Sequence, residues 1–188
     1  MNGAGRKMLL LTCSAVLYSA ALAQAQVRNA IELEQLVLSK IHQTNQMEVS
    51  LGHLAEEKAT RSGVRAYGDR LWRDHHIADL KVKALARAEG VELIQPKPQT
   101  KQERQFQQSQ MKIVDKLKAV QGPEFDQIYL NAMVQGHTHA IDTLDDVAGR
   151  LNDENVRSLV EKLIPILKQH RELARHLEAP QKAASALR

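Results

Sequence analysis

Glu48, His75, His137 and His170 stand where a helical core normally carries Leu or Val. Each falls on an apolar stripe of helical spacing. His137 lies in the middle of residues 125–148, whose apolar positions Leu130, Met133, Ala140, Leu144 and Val147 keep a three–four alternation. No helix end is near enough for its ring to swing out to water. A buried ionised Glu needs a histidinium, a metal or a hydrogen-bond network to offset lost hydration. Three imidazoles and one carboxylate form a reasonable ligand set for zinc, iron, copper or nickel. A purely polar network would satisfy the same groups, and a misjudged helix phase would disperse them, so all three readings stay open at this level.

Flanking polar residues extend the set. Asp74 precedes His75 on the flank of the same face and could support the ligands, and Asp142 follows His137 by about one turn and could hold a ring nitrogen. Thr44 lies one turn before Glu48. Asp126 and Tyr129 belong to the start of their helix, too far along the axis to touch His137, and Asp126 reads as a helix-start acid favoured by the dipole. His76 and His139 point off the stripe, and His42, His53 and His176 are expected to be solvated.

Four long helices must position these residues. Asn29 and Glu32 form a capping-box pattern that opens the first. Its stripe is Val37, Ile41, Thr44, Glu48, Leu51, Ala55 and Ala59, broken by Ser62-Gly63. The second carries Val64, Gly68, Leu71, His75, Ala78, Val82 and Leu85, and Gly90 closes it. Residues 91–122 differ: Pro96 and Pro98 keep the start extended, and Thr100-x-x-Glu103 caps a shorter helix. Pro123 opens the third long helix. Gly149 ends it, and Asn152-Asp153 caps the fourth, whose stripe runs Val156, Leu159, Leu163, Leu167, His170, Ala174, Leu177, with a kink expected at Pro165. The pattern predicts an all-α, ferritin-like four-helix bundle of two antiparallel hairpins, with a long crossover containing a short extra helix. Glu48 and His75 each lie ~20 Å from the first turn, and His137 and His170 ~22 and ~27 Å from the second, so all four come near mid-length.

Composition bounds the function. The 188 residues contain 9 Gly and 5 Pro and few aromatics, which favours helix. Arg6-Lys7, the apolar run 8–22 and the small residues around Ala23 and Ala25 are laid out as a secretory signal peptide over residues 1–25. Without Arg6 and Lys7 the 26 basic residues become 24 against 22 acidic, with both signs interspersed, which disfavours nucleic-acid binding. Cys13, the single cysteine, lies inside the apolar run. The exported chain would therefore have no disulfide and no lipid anchor. The expected organisation is a signal peptide (1–25), a bundle domain (26–178) without a transmembrane segment, and a frayed tail (179–188).

The residues Met47-Glu48-Val49-x-x-Gly52-x-Leu54-Ala55-x-x-Lys58-Ala59, Val64-Arg65, Asp74-His75, Phe125-Asp126-x-x-Tyr129-Leu130-x-x-Met133-Val134-x-x-His137-x-x-Ala140-Ile141 and Leu163-Ile164-Pro165-x-Leu167-x-x-His170 resemble a bacterial family of exported proteins of unknown function. Its members are often labelled predicted outer membrane protein. The resemblance spans residues 30–177 and implies a ferritin-like bundle and export to the periplasm, peripheral at most to the outer membrane; it implies no activity. Di-iron members of the ferritin-like class use Glu-x-x-His on two helices, and this chain has none. The sequence thus supports an exported bundle holding a metal through Glu48, His75, His137 and His170. The alternative is a non-enzymatic envelope protein that presents surfaces to a partner and keeps a polar, metal-free core. No nucleophile motif or phosphate loop points to a hydrolase.

Overall fold

A computed structural model of the chain describes residues 8–179, with side chains from residue 24 onward. Its regular elements are all helices: α1 (Met8–Lys58), α2 (Ser62–Ala88), α3 (Lys101–Ala119), α4 (Gly122–Ala148) and α5 (Glu154–Glu178). α1 packs along α2, α4 along α5, and the connection between these hairpins carries α3. The all-α bundle expected from periodicity is what forms. The expected signal peptide over 1–25 and tail over 179–188 fall, apart from the backbone of residues 8–25 and Ala179, outside the described residues.

Local signals set most boundaries. Thr100 and Glu103 close both halves of the capping box at the start of α3. Asp153 caps α5 through the backbone N–H of Val156 at 2.9 Å. Gly90, at φ 66°, takes the left-handed turn after α2, and Val91 N–H bonds back to the Ala86 carbonyl. α5 continues through Pro165.

Two expectations are corrected. Asn29 and Glu32 do not open a helix, because α1 is already helical from Met8. The run before Asn29 is rich in Ala, Leu and Gln and has no Gly or Pro after Gly5 to stop it. Nor is Asp126 a local helix-start acid. It is 3 % exposed and reaches across the bundle to the α1–α2 turn. Its carboxylate accepts from Thr60 N–H (3.0 Å), Thr60 Oγ1 (2.8 Å) and Arg61 N–H (2.9 Å). One α4 side chain thereby satisfies orphan donors at the entrance to α2.

These bonds also orient the helices. Arg61 donates to the Leu177 carbonyl (2.7 Å), so the α1–α2 turn, the start of α4 and the end of α5 share one end. At the other end Asp153 N–H donates to Glu34 (2.7 Å) and Asn155 to Glu89 (2.9 Å). The two hairpin turns therefore lie at opposite ends, and a layer at mid-length is shared by all four long helices.

α1 and α2 approach closely at a pair of glycines. A Cβ on Gly52 would stand 2.7 Å from the Gly68 carbonyl oxygen, and one on Gly68 would stand 2.7 Å from the Ala55 Cβ. This crossing fixes the hairpin's register, with Glu48 one turn before Gly52 and His75 two turns after Gly68. Gly68→Ala is expected to cost about 1–3 kcal/mol by overpacking against backbone that cannot yield. Urea unfolding measures it, and an unchanged midpoint would contradict the close crossing.

The apolar core is divided into two. One cluster includes Val37, Leu38, Ile41, Val82, Leu144, Val156 and Leu163; the other includes Leu51, Ala55, Leu71, Phe125, Tyr129, Met133 and Ala174. On every long helix the gap between them is filled by polar residues.

Candidate metal centre

That gap holds Glu48 on α1, His75 on α2, His137 on α4 and His170 on α5, exposed by 4, 4, 2 and 0 %. The four inward positions predicted from the stripes are therefore at one depth. One nitrogen from each of His75, His137 and His170 lies within 4.8 Å of the others. The ring centroids are 5.3–5.8 Å apart. Glu48 does not share this spacing. Its Oε1 looks across to α4, where a Cβ on Gly136 would stand 4.0 Å away, and its Oε2 is buried without a partner.

The outward nitrogens determine the tautomers of His137 and His170. His137 Nδ1 lies 2.8 Å from the Met133 carbonyl, which can only accept, so Nδ1 carries the proton. His170 Nε2 donates in the same way to Asp74 Oδ2 at 2.9 Å. His75 Nδ1 pairs with the Asn45 side-chain amide at 2.8 Å, which can accept through Oδ1 or donate through Nδ2. The remaining nitrogens, His75 Nε2, His137 Nε2 and His170 Nδ1, are buried without hydrogen-bond partners. The inward atoms of His137 and His170 are therefore lone pairs, and so is that of His75 when Asn45 accepts through Oδ1, a state in which the rings cannot bond to one another. A cation accepting three nitrogens satisfies them together. For metal–nitrogen bonds of about 2.0–2.1 Å, tetrahedral nitrogens are ~3.4 Å apart, a modest contraction from the spacing seen.

Of the flanking residues, Asp74 reaches the ring of His170 on α5 rather than that of its neighbour His75, and it is itself braced by Arg70 at 3.3 Å. Asp142 does not: it is exposed, and the Met133 carbonyl holds His137 instead. Asp142 lies five residues beyond His137, so it is rotated off the inward face, whereas Met133 lies directly below it in the helix. Thr44 is partly exposed, and Asn45 takes the inward place. Asn45 was legible in principle, since Ile41, Asn45 and Glu48 follow the four–three spacing of the stripe. The Met133 carbonyl carries no side-chain signal and could not have been found. His42 is not simply solvated, because its Nδ1 pairs with the buried Asp79 at 2.5 Å.

Burial and mutual proximity keep the imidazoles neutral. His75 is held well below the ordinary value by burial and then by the neighbouring His137 and His170. His137 falls to about 4, and His170 is lowered by burial despite Asp74. Burial pushes Glu48 up to about 7. The signs oppose each other. Below the ordinary histidine value the unfolded chain gains protons that the folded rings refuse, so stability falls with acid until about pH 4, where His137 protonates in the fold. Glu48 contributes stability below its unfolded value, lost as pH rises to about 7. Three rings outweigh one carboxyl. Metal-free protein is therefore expected to lose stability as pH falls from about 6.5 to 4.5. Urea unfolding in chelator reads this, and Glu48→Gln should steepen the loss by removing the opposing carboxyl.

A helical bundle with a buried three-histidine layer is thus the class of protein that the fold and side chains define. The chain belongs to the DUF4142 family, a domain of unknown function, whose match covers residues 19–177. Among solved structures it is similar to "CopM in the Cu(II)-bound form", with a TM-score of 0.60 and 12 % identity over 79 % of this chain and 95 % of that chain. At that identity the likeness shows a shared fold. No curated protein matches the chain. The family description does not carry the outer-membrane label, and no helix among the described residues is long and apolar enough to cross a membrane.

Proposed function

We propose that this protein binds one transition-metal ion between His75, His137 and His170, with Glu48 supplying a carboxylate from the side. The observation that carries the reading is the convergence of three partnerless imidazole nitrogens whose rings are each held from behind by Asn45, Met133 or Asp74. Outward hydrogen bonds of this kind fix the tautomer and orientation of metal-ligating histidines. With Asn45 accepting from His75, Glu48 has at most one proton to give and leaves two of the three lone pairs for a cation to satisfy.

Imidazole nitrogen suits copper, zinc, nickel and iron. Copper is placed first, because a protein of the same fold is described as Cu(II)-bound. The Arg6-Lys7 segment, the apolar run and the small-residue cleavage positions support export, so the metal would be met in the periplasm. The layer is suited to holding and delivering an ion.

Calorimetric titration of chelator-stripped protein with Cu(II), Zn(II), Ni(II) and Fe(II) tests the reading. One equivalent of at least one ion should bind, and it should no longer bind when His75, His137 and His170 are all replaced by Leu. Binding that persists in the triple variant, or no binding of any of the four ions, would overturn it.

A further inference from the structure

The side chains of the histidine layer are buried, so an ion must reach it through a seam between helices. Two seams approach it. On the α2–α5 side, side chains close the gap directly: Asp74 bonds His170, and Arg70 bonds both Asp74 and Gln169. On the α1–α4 side the long helices touch little, and Gly136, the α4 residue facing Glu48, has no side chain to fill the space and is partly exposed. α3 lies over this second seam.

The fastening of α3 is uneven. Its C-terminal end is pinned: Lys58 Nζ donates to the carbonyls of Leu117 (3.3 Å), Lys118 and Val120 (3.2 Å), and Leu117 is fully buried. No other residue of this 19-residue helix is buried. Its N-terminal part is held by an ion pair between Lys40 and Glu103 (2.6 Å), with both side chains about one-third exposed, and by Phe106 against His139 at 3.7 Å between centroids. Glu48 lies ~12 Å along α1 from Lys40, and the partly buried Gln110 lies ~10 Å along α3 from Glu103, so this weakly held stretch passes at the height of the layer.

We propose that α3 is a hinged cover. Its N-terminal part lifts from the α1–α4 seam while Lys58 and Leu117 hold the other end, and the lifting admits ions past Gly136 to Glu48 and the histidines. The segment before α3 is tied to α1 as far as Ile94, whose N–H donates to Ser39, and Pro96 is buried, so the slack for this motion lies in the extended residues 97–100. The proposal rests on the metal reading for its cargo, not for the motion.

Lys40→Ala/Phe106→Ala tests it, because both latches are lost while the Thr100–Glu103 capping box is kept. Carbethoxylation by diethyl pyrocarbonate, mapped by mass spectrometry, reads access without metal. His75, His137 and His170 should react about tenfold faster than in the unaltered protein, as expected for losing one surface ion pair and one ring contact. The exposed His53 should keep its rate, and Lys40→Ala alone should give a smaller rise. Cu(II) uptake and chelator-driven release should accelerate together, leaving Kd unchanged. Unaltered rates at the three histidines would overturn the cover, as would equal acceleration in Arg70→Ala on the opposite face. If carbethoxylation accelerates and the unaltered protein takes up no Cu(II), the metal reading falls and the cover stands.

Discussion

His137→Leu is expected to abolish metal binding and, in the same experiment, to make the metal-free protein more stable. Loss of one of three inward nitrogens should weaken the ion by more than the roughly 10–100-fold that follows loss of an outer supporting residue. The stability gain comes from the same atom. In the metal-free fold, His137 Nε2 is a buried acceptor with no partner, a state that costs about 1–3 kcal/mol. Leu is of similar size and carries no polar atom. The Met133 carbonyl is not orphaned by the change, because in a continuous helix it also accepts from the backbone N–H of residue 137. Unfolding in chelator should shift upward by about 1–2 kcal/mol, while calorimetry shows no heat of binding at concentrations that saturate the unaltered protein. A structural polar layer would show the reverse: destabilisation and no change in metal content.

Asp126→Ala carries the largest expected loss of stability, about 3–5 kcal/mol. Removing the carboxylate leaves Thr60 N–H, Thr60 Oγ1 and Arg61 N–H without their acceptor at the mouth of the α1–α2 turn, and Arg61 loses a neighbour at 3.6 Å. Arg61 also holds the end of α5 through the Leu177 carbonyl, so one deletion loosens three helix ends. Asp126→Asn, which keeps one acceptor oxygen, should lose clearly less. Urea midpoints of the two variants decide the point: equal and small losses would mean that the turn is held by packing alone. The histidine layer lies beyond Tyr129 and Met133, so metal bound per folded molecule should not change in either variant.

The two variants separate the requirements of the fold from those of the layer. The bundle needs Asp126, the Gly52–Gly68 crossing and two apolar clusters. It does not need unpaired imidazoles between those clusters, which cost stability in the metal-free state. Residues that lower stability yet are held from behind by Asn45, Met133 and Asp74 are what a binding site requires.

The sequence by itself determined the helices, the crossover and the depth of the layer. Apolar spacing is a property of a single helix, and its turn signals fix how far each residue lies from an end, so Glu48, His75, His137 and His170 could be placed at one height before any contact was known. Asp74 was visible for the same reason, as the neighbour of an inward histidine. The tertiary structure alone decided which atoms meet. Whether a ring is held by Met133 or Asp142 depends on the rotation of α4 against its neighbours, and whether Asp126 serves its own helix or another depends on which ends are brought together. That Glu48 stands beside the three nitrogens rather than among them is a matter of a few ångströms between helices. Periodicity gives direction around one axis; distance between axes is set only when the helices pack, here where Gly52, Gly68 and Gly136 present no side chain to hold their neighbours apart.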